Sequence, residues 1–390
     1  MKITTFSLFI IMVFALTVQA QPRIWNRANL EKAKMVSSEA SKLIIRDADK
    51  ALTKTIKTVM DKEMIAPSGD KHDYISMGKY WWPNPKTADG LPYIRKDGVV
   101  NPEIEKLDRV PLGNMARSIS NLSLAYYFTS DDKYAAKAVE NLRIWFINKE
   151  TLMNPNMNFG QTIPGRNNGK GRGEGIIDTY SFIEMLDGIE LLKSSSKFTN
   201  NDRKALTDWF STYLDWMLTS EIGKEEFAAK NNHGIAFDVQ VVRYALFLGE
   251  EDIANQYIKE FPARRLFTQI EPNGSQPLEL ARTTAMGYSL SNLTHMLDMC
   301  KIAKTLKIDL YNAKSTDGRS ITKAIDFLIP YLGKSVTDFP YKQIKDWDAK
   351  QKELCRVLYR ADSFTPNPVY KNLFSKNLNS SQQESNFILY

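Results

Sequence analysis

The sequence predicts an all-α fold, an incomplete (α/α) toroid or barrel in which antiparallel helical hairpins with long loops surround a groove. The composition, 43% hydrophobic and 25% charged over 390 residues, is that of a globular protein. Apolar residues recur at helical spacing through most of the chain, and period-two strand patterns are nearly absent. A solenoid of helical repeats is the alternative, but the sequence has no fixed period.

The helical periodicity divides the chain into segments joined by short connections. Ser130, Asp131 and Asp132 separate the first two strongly periodic segments, and Thr199 with Asp202 forms the capping pattern of a later one. Helices are predicted at 110–126, 134–146, 176–192, 203–218, 235–248, 252–260, 285–306, 321–332 and 349–359. Neighbouring helices with short links are expected to form antiparallel hairpins.

Two long segments, 66–108 and 153–175, lack helical periodicity. Both are dense in Gly, Pro, Asn and aromatic residues. Loops of this length in a compact domain are usually functional or disordered. Because aromatic side chains favour order, we predict that both loops are ordered and border a binding site.

The N-terminus has the pattern of a cleavable signal peptide. Lys2 precedes an apolar run over 6–15, and Val18-Gln19-Ala20 places small residues before the expected cut after Ala20. No later stretch has the ~18 apolar residues that a membrane span needs. We expect residues 1–20 to be removed and residues 21–390 to form a single domain that is periplasmic or secreted.

The charges and the scarce histidines and cysteines limit the chemistry. The net charge of +7 is too modest to indicate a nucleic-acid partner, but it favours an acidic one. His72, His233 and His295 have no zinc-site or iron-site spacing with one another or with the two cysteines, so we predict no metal and no cofactor. Export allows a Cys300–Cys355 disulfide, and two buried free thiols are the alternative.

Each long loop carries a motif that suits an acidic sugar. The first contains YWWPNP at 80–85 and GLPYIR at 90–95, whose flat aromatic faces fit a sugar ring or a protein core equally well. The second reads QTIPGRNNGKGRGEGIID over 161–178, where glycines let backbone amides approach an anion and Arg166, Lys170 and Arg172 add charge. This motif matches neither a P-loop nor a Rossmann fingerprint. It is either a basic loop that binds a carboxylate-bearing ligand or a solvated charged loop.

Two further motifs could carry chemistry. Asn231-Asn232-His233-Gly234 precedes a predicted helix, where orphan backbone donors favour a carboxylate or a developing oxyanion. Arg282 and Tyr288 are six residues apart, which on an unbroken helix places them ~120° from a shared face. They converge only if a helix bends or begins between them. Arg282 could otherwise form a structural pair with Glu279.

Together, these four motifs make the chain resemble the alginate-lyase superfamily of polysaccharide lyases. They follow the family's order from about residue 70 to residue 290. The resemblance is closest to polysaccharide lyase family 38, which contains alginate and glucuronan lyases. It implies an incomplete α/α toroid that binds an acidic polysaccharide and cleaves polyuronates by β-elimination without a metal.

The resemblance also implies roles for individual residues. Asn232, His233 and Arg282 would neutralise the uronate carboxylate, and Tyr288 would act as acid, base or both. For a mannuronate-type residue one tyrosine can serve both steps, whereas for a guluronate-type residue His233 becomes the candidate base. The candidates for substrate binding are Asn231, Arg166, Asn167, Asn168, Arg172, Trp81, Trp82, Tyr93, Gln276 and Glu279.

Three other functions remain open at this point. A glucuronan lyase would use the same mechanism. A uronide hydrolase on a similar toroid would need two carboxylates, for which Glu174, Asp178 and Glu279 are candidates. A non-catalytic polysaccharide-binding protein would use the aromatic and basic loops without turnover.

Overall fold

The computed structural model describes residues 22–36, 38–378 and 388–390. The predicted signal peptide over 1–20 lies outside these residues. Within them, every helix is too short or too polar to cross a membrane.

Helices make up most of the described chain, and most of the predicted ones are present. The reciprocal capping box of Thr199 and Asp202 opens α6, as predicted. The helices are α1 (Arg27–Val36), α2 (Glu39–Thr53), α3 (Arg109–Thr129), α4 (Asp132–Phe146), α5 (Phe182–Leu192), α6 (Asn200–Thr219), α7 (Glu221–Phe227), α8 (Asn232–Leu248), α9 (Glu251–Phe261), α10 (Phe267–Gln269), α11 (Pro277–Leu280), α12 (Ala285–Thr305), α13 (Ile321–Leu328), α14 (Trp347–Asp362) and α15 (Pro368–Asn377).

The helices pack as hairpins in an incomplete α/α toroid, which confirms the predicted fold class. Helix α3 packs against α2, α4 and α5, α8 packs against α6, α9 and α12, and α14 joins α12 to α15. An aromatic cluster of Phe146, Phe182, Trp209 and Phe210 ties α4, α5 and α6 together in the buried core. Edge-to-face ring pairs of this kind add to the stability gained by burying apolar area.

The two long loops are ordered and contain short strands. Strand β1 (Ile75–Met77) pairs in parallel with β4 (Phe159–Thr162), and β2 (Trp81–Trp82) pairs antiparallel with β3 (Ile94–Arg95). Because β1 belongs to the first loop and β4 to the second, their backbone hydrogen bonds hold the two loops side by side.

Two predicted helices are wrong at one end. The segment predicted from residue 176 begins instead as a 3₁₀ turn over Gly173–Thr179, because the Asp178 carboxylate accepts hydrogen bonds from Tyr74 and Ser76 of the first loop. The α-helix predicted to residue 332 ends at Leu328, before Pro330, which has no N–H to continue it. Helices α1, α2, α7, α10, α11 and α15 were not predicted from the sequence.

The two cysteines are not bonded to each other. Cys300 and Cys355 are both buried free thiols. Burial raises the pKa of the Cys300 thiol well above its ordinary value and that of Cys355 to about 11. Of the two alternatives that the sequence left open, the structure has the free thiols.

Candidate active site

A cavity of about 290 Å³ lies where the two long loops meet the N-termini of α8 and α12. Its lining is polar and carries more cationic than anionic side chains. Among the described residues it is lined by Lys79, Tyr80, Trp81, Arg95, Arg109, Gln161, Arg172, Glu174, Ile177, Asn231, Asn232, His233, Arg282, Tyr288, Ser291 and His295.

The glycines of the second loop let its backbone pack against β4. A Cβ atom on Gly175 would lie 2.5 Å from the carbonyl carbon of Gly160, and one on Gly171 would lie 2.6 Å from the Gly160 nitrogen. The Gly171 amide also donates to the carbonyl of Asn158 at 2.7 Å. These glycines thus serve close backbone packing between the second loop and β4.

Gln161 and Arg172 form the wall that the second loop contributes to the cavity. Gln161 has a φ of 49°, uncommon for a residue with a side chain, and donates from its side chain to Asp178 at 3.1 Å. Arg172 donates from Nε to the Gln161 carbonyl at 3.0 Å and from Nη1 to Glu174 at 2.5 Å. Residues tied in this way keep a guanidinium at the cavity wall with little freedom to move.

The N-terminus of α8 presents Asn232 to the cavity in a defined orientation. Asn231 caps the helix by accepting a hydrogen bond from the His233 amide at 3.1 Å. Asn232 donates from its backbone and its side-chain Nδ2 to the two oxygens of Glu279, at 2.7 and 2.9 Å. A side-chain amide has two hydrogens, so one remains available for a ligand. Burial raises the pKa of Glu279 despite these hydrogen bonds.

His233 is held by Glu226 of α7. Its Nδ1 lies 2.7 Å from Glu226 Oε1, and with Nδ1 donating, Nε2 remains for a ligand. Burial opposes the imidazolium, but the buried Glu226 carboxylate outweighs that effect and raises the pKa of His233 above its ordinary value. The arrangement favours a cationic His233.

Arg282 and Tyr288 meet because α12 begins between them, at Ala285. Arg282 Nη2 donates to the Tyr288 hydroxyl at 2.8 Å, and its guanidinium carbon lies 3.8 Å from the centre of the Tyr288 ring. The acidic partner of Arg282 is Asp97, at 2.6 Å from Nη2, and not Glu279 as the sequence also allowed. Thr283 donates to Asp97 from both its backbone and its hydroxyl, which fixes the carboxylate.

Tyr288 also forms a hydrogen bond with a second tyrosine. Its hydroxyl donates to that of Tyr80 at 3.0 Å, and the ammonium of Lys79 lies 4.8 Å from the centre of the Tyr80 ring. Burial and the bond to Tyr80 raise the pKa of Tyr288 above its ordinary value. Burial also disfavours ionisation of Tyr80, but Lys79 and the hydrogen bond from Tyr288 outweigh it and lower the pKa of Tyr80.

Part of the predicted site lies outside the cavity lining. Trp82 donates to the Val99 carbonyl at 3.0 Å, and Tyr93 donates to Glu103 at 2.8 Å, so both polar tips are occupied. Arg166 stacks over Trp81 from the exposed side, 5.0 Å from its ring centre. The predicted residues outside the lining are Trp82, Tyr93, Arg166, Asn167, Asn168, Gln276 and Glu279, and those within it are Trp81, Arg172, Asn231, Asn232, His233, Arg282 and Tyr288.

Several site residues were missed by the sequence reasoning. Tyr80 opens the YWWPNP motif, and His295 lies two helical turns after Tyr288, so both could have been found. Burial lowers the pKa of His295 to about 4, which keeps it neutral beside Tyr180. Asp97 and Glu226 belong to no motif.

Among the described residues, no group of three or more His, Cys, Asp or Glu side chains is arranged to hold a metal ion.

Comparisons with known proteins agree on one family. The family model for alginate lyase matches residues 58–337. The crystal structure of an alginate lyase from Bacteroides ovatus has 53% identity and a TM-score of 0.92, covering 94% of this chain and 98% of that one. None of the curated proteins matches the chain.

More distant solved structures share the fold. Alginate lyase A1-III from Sphingomonas species A1 has 12% identity and a TM-score of 0.53, over 84% of this chain and 89% of that one. A variant of A1-III complexed with tetrasaccharide has 13% identity and a TM-score of 0.55, over 85% and 88%. At these identities the likeness is one of fold.

Proposed function

The chain belongs to the alginate lyase family and is thus a polysaccharide lyase, and from this we propose that it cleaves the 1,4-glycosidic bonds of an alginate-type polyuronate by metal-independent β-elimination. The observation that carries the proposal is the meeting in one cavity of Tyr288, Arg282 and the Asn232–His233 pair. Each supplies one requirement of that reaction.

The first requirement is neutralisation of the uronate carboxylate. Removal of the C5 proton builds negative charge next to a group that is already an anion. Asn232 offers one amide hydrogen, His233 its Nε2 as an imidazolium, and Arg282 the donors that neither Asp97 nor Tyr288 uses. Charge-assisted hydrogen bonds that are already in place stabilise this growing charge without reorganisation.

The second requirement is a proton for the leaving O4. Tyr288 suits this role because its raised pKa keeps the hydroxyl protonated. The raised pKa of His233 favours neutralisation over proton abstraction. We therefore propose that the C5 proton is removed from the tyrosine side of the cavity, on the same face as O4, as the stereochemistry of a mannuronate-type residue allows.

The lining of the cavity disfavours a hydrolase. Hydrolysis would need two carboxylates on either side of the glycosidic bond. Of the three candidates, Asp178 and Glu279 lie outside the lining and are bound by Ser76 and Asn232 respectively. Glu174 is the one acidic side chain among the described lining residues. The site is also compatible with a glucuronan lyase. The next experiment distinguishes glucuronan from alginate-type substrates.

We expect ultraviolet-absorbing, unsaturated products when the protein is incubated with polymannuronate, and slower formation with polyguluronate. Parallel reactions with glucuronan test the alternative substrate, and a chelator arm tests the metal-independent step, since chelation should leave the rate unchanged. Binding of every polymer without any rise in absorbance would instead indicate a capture protein. Loss of activity on chelation, restored by one metal, would contradict the metal-free mechanism.

A Glu226→Gln substitution is expected to change the pH dependence of the reaction. Glu226 raises the pKa of His233, so its loss lowers that pKa and the imidazolium is lost at a lower pH. The high-pH limb of kcat/KM should therefore move down by about one pH unit. Glu221→Gln, on the exposed face of the same helix, is the matched control. An unmoved limb in the folded Glu226→Gln enzyme would contradict a cationic role for His233.

A further inference from the structure

Tyr80 and Tyr288 form a pair of phenols at the cavity wall that the proposed mechanism uses only in part. Their oxygens are 3.0 Å apart, with Tyr288 as the donor, and both residues line the cavity. The two come from positions 208 residues apart, one from the first long loop and one from the first turn of α12. A tyrosine hydroxyl that accepts from another phenol is placed to carry a negative charge.

The groups facing this pair are mostly cationic. Lys79 lies over the Tyr80 ring and, among the residues that the structure describes, forms no ion pair with a carboxylate. Arg282 donates to Tyr288 and is itself paired with Asp97. Arg109, paired with Asp178 at 3.3 Å, adds a further positive charge at the same wall. A negative charge shared by the two tyrosines would be stabilised by these surrounding cations.

We propose that Tyr80 is the general base of the elimination and Tyr288 its general acid, the two acting as one proton-sharing pair. This inference rests on the proposed function and assigns the group that removes the C5 proton. The hydrogen bond determines the division of roles: Tyr288 keeps its proton and donates the hydrogen bond to the Tyr80 oxygen. The Tyr80 ring lies under the Lys79 ammonium. The lowered pKa of Tyr80 and the raised pKa of Tyr288 agree with that division.

The two tyrosines together accept and supply every proton that the step moves. The Tyr80 phenolate takes the C5 proton, and the electrons of the C5–H bond form the C4=C5 double bond. The C4–O4 bond breaks, and O4 takes the proton of Tyr288. Tyr80 is then a phenol and Tyr288 a phenolate, and transfer of one proton across their hydrogen bond restores the starting state. No external acid or base is consumed.

A Tyr80→Phe substitution tests the assignment because it removes one oxygen and keeps the ring. We expect kcat on polymannuronate to fall by about 10²-fold, with KM little changed, and the low-pH limb of the kcat profile to be altered. Tyr127→Phe, which removes a phenol from the half-buried outer part of α3, is the matched control and should behave as wild type. A folded Tyr80→Phe enzyme with the wild-type rate and pH profile overturns the assignment.

A spectroscopic titration of the substrate-free protein provides a readout that does not depend on turnover. We expect the wild-type protein to form tyrosinate below the ordinary pH range of tyrosine, and Tyr80→Phe to lose that transition. Lys79→Gln keeps both phenols and should move the transition to higher pH. This variant tests the shared phenolate even if Tyr80→Phe does not fold. Absence of the transition in the wild type, or its insensitivity to Lys79→Gln, overturns the shared phenolate.

Failure of the proposed function and failure of the role of Tyr80 give different results. A wild-type enzyme that eliminates no polyuronate overturns the proposed function and the role of Tyr80 with it. An active enzyme whose Tyr80→Phe variant is unimpaired overturns the role of Tyr80 alone.

Discussion

Tyr288→Phe is expected to lower the rate of elimination by about 10³-fold. The substitution removes the hydroxyl that we propose protonates O4 and, with it, the hydrogen bonds to Arg282 and Tyr80. The ring remains, so its packing at the start of α12 and the contact with the Arg282 guanidinium are retained. The loss should therefore appear in kcat rather than in folding.

The measurement is the initial rise in ultraviolet absorbance with polymannuronate, with circular dichroism and thermal unfolding to verify the fold. Tyr127→Phe again controls for loss of a phenol outside the cavity. Turnover near the wild-type rate in the folded Tyr288→Phe protein would show that another group protonates O4.

Arg282→Met is expected to lower kcat/KM by about 10²- to 10³-fold, the range for loss of a preorganised donor to a developing oxyanion. Arg282 lines the cavity where we propose that the uronate carboxylate binds, and it donates to the Tyr288 hydroxyl at 2.8 Å. Methionine preserves much of the aliphatic length and removes the charge. The Asp97 carboxylate loses one of its two cationic partners but keeps the ion pair with Arg95 and two hydrogen bonds from Thr283.

A second variant separates two causes of that loss. Removing Arg282 leaves the Asp97 carboxylate, near an anionic substrate, with Arg95 as its remaining cationic partner. The double variant Arg282→Met with Asp97→Asn removes this charge as well, and we expect it to stay at least about 10²-fold below wild type. Arg27→Met, which breaks a surface pair with Glu31, is the control for loss of an arginine. Wild-type activity in the double variant would mean that Arg282 only compensates Asp97.

Local patterns predicted most of the helical framework. The strongly periodic segments are helices whose ends lie within a few residues of the predicted ones. The predicted capping box at Thr199 and Asp202 is also present. The prediction was wrong where tertiary contacts override local preference. The residues around Asp178 follow a helical pattern, but a buried carboxylate that accepts from Tyr74, Ser76 and Gln161 holds them in a 3₁₀ turn.

The sequence could predict those residues of the candidate site that lie in contiguous motifs. The Asn231-Asn232-His233 motif lies at a helix N-terminus, and the six-residue spacing of Arg282 and Tyr288 required the helix start that the structure has. Their partners depend on tertiary structure. Asp97 reaches Arg282 across 185 positions and Tyr80 reaches Tyr288 across 208, which no local pattern encodes.

The basic surplus of the sequence acquires a location in the structure. Among the residues that the structure describes, the cavity is lined by the cations Lys79, Arg95, Arg109, Arg172 and Arg282 and by one acidic residue, Glu174. Some of these cations are paired with acids, so the net field is smaller than the count suggests, but its sign favours an anionic polymer. A modest overall charge is thus concentrated where the proposed substrate binds.

The mass of the products from polymannuronate distinguishes elimination in this cavity from hydrolysis. Elimination splits the chain without adding water and leaves an unsaturated uronate at the new non-reducing end, whereas hydrolysis adds one water at each cut. We predict fragments that are one water lighter than hydrolysis products and that absorb in the ultraviolet. Products that are all saturated and all have the mass of hydrolysis products would contradict elimination.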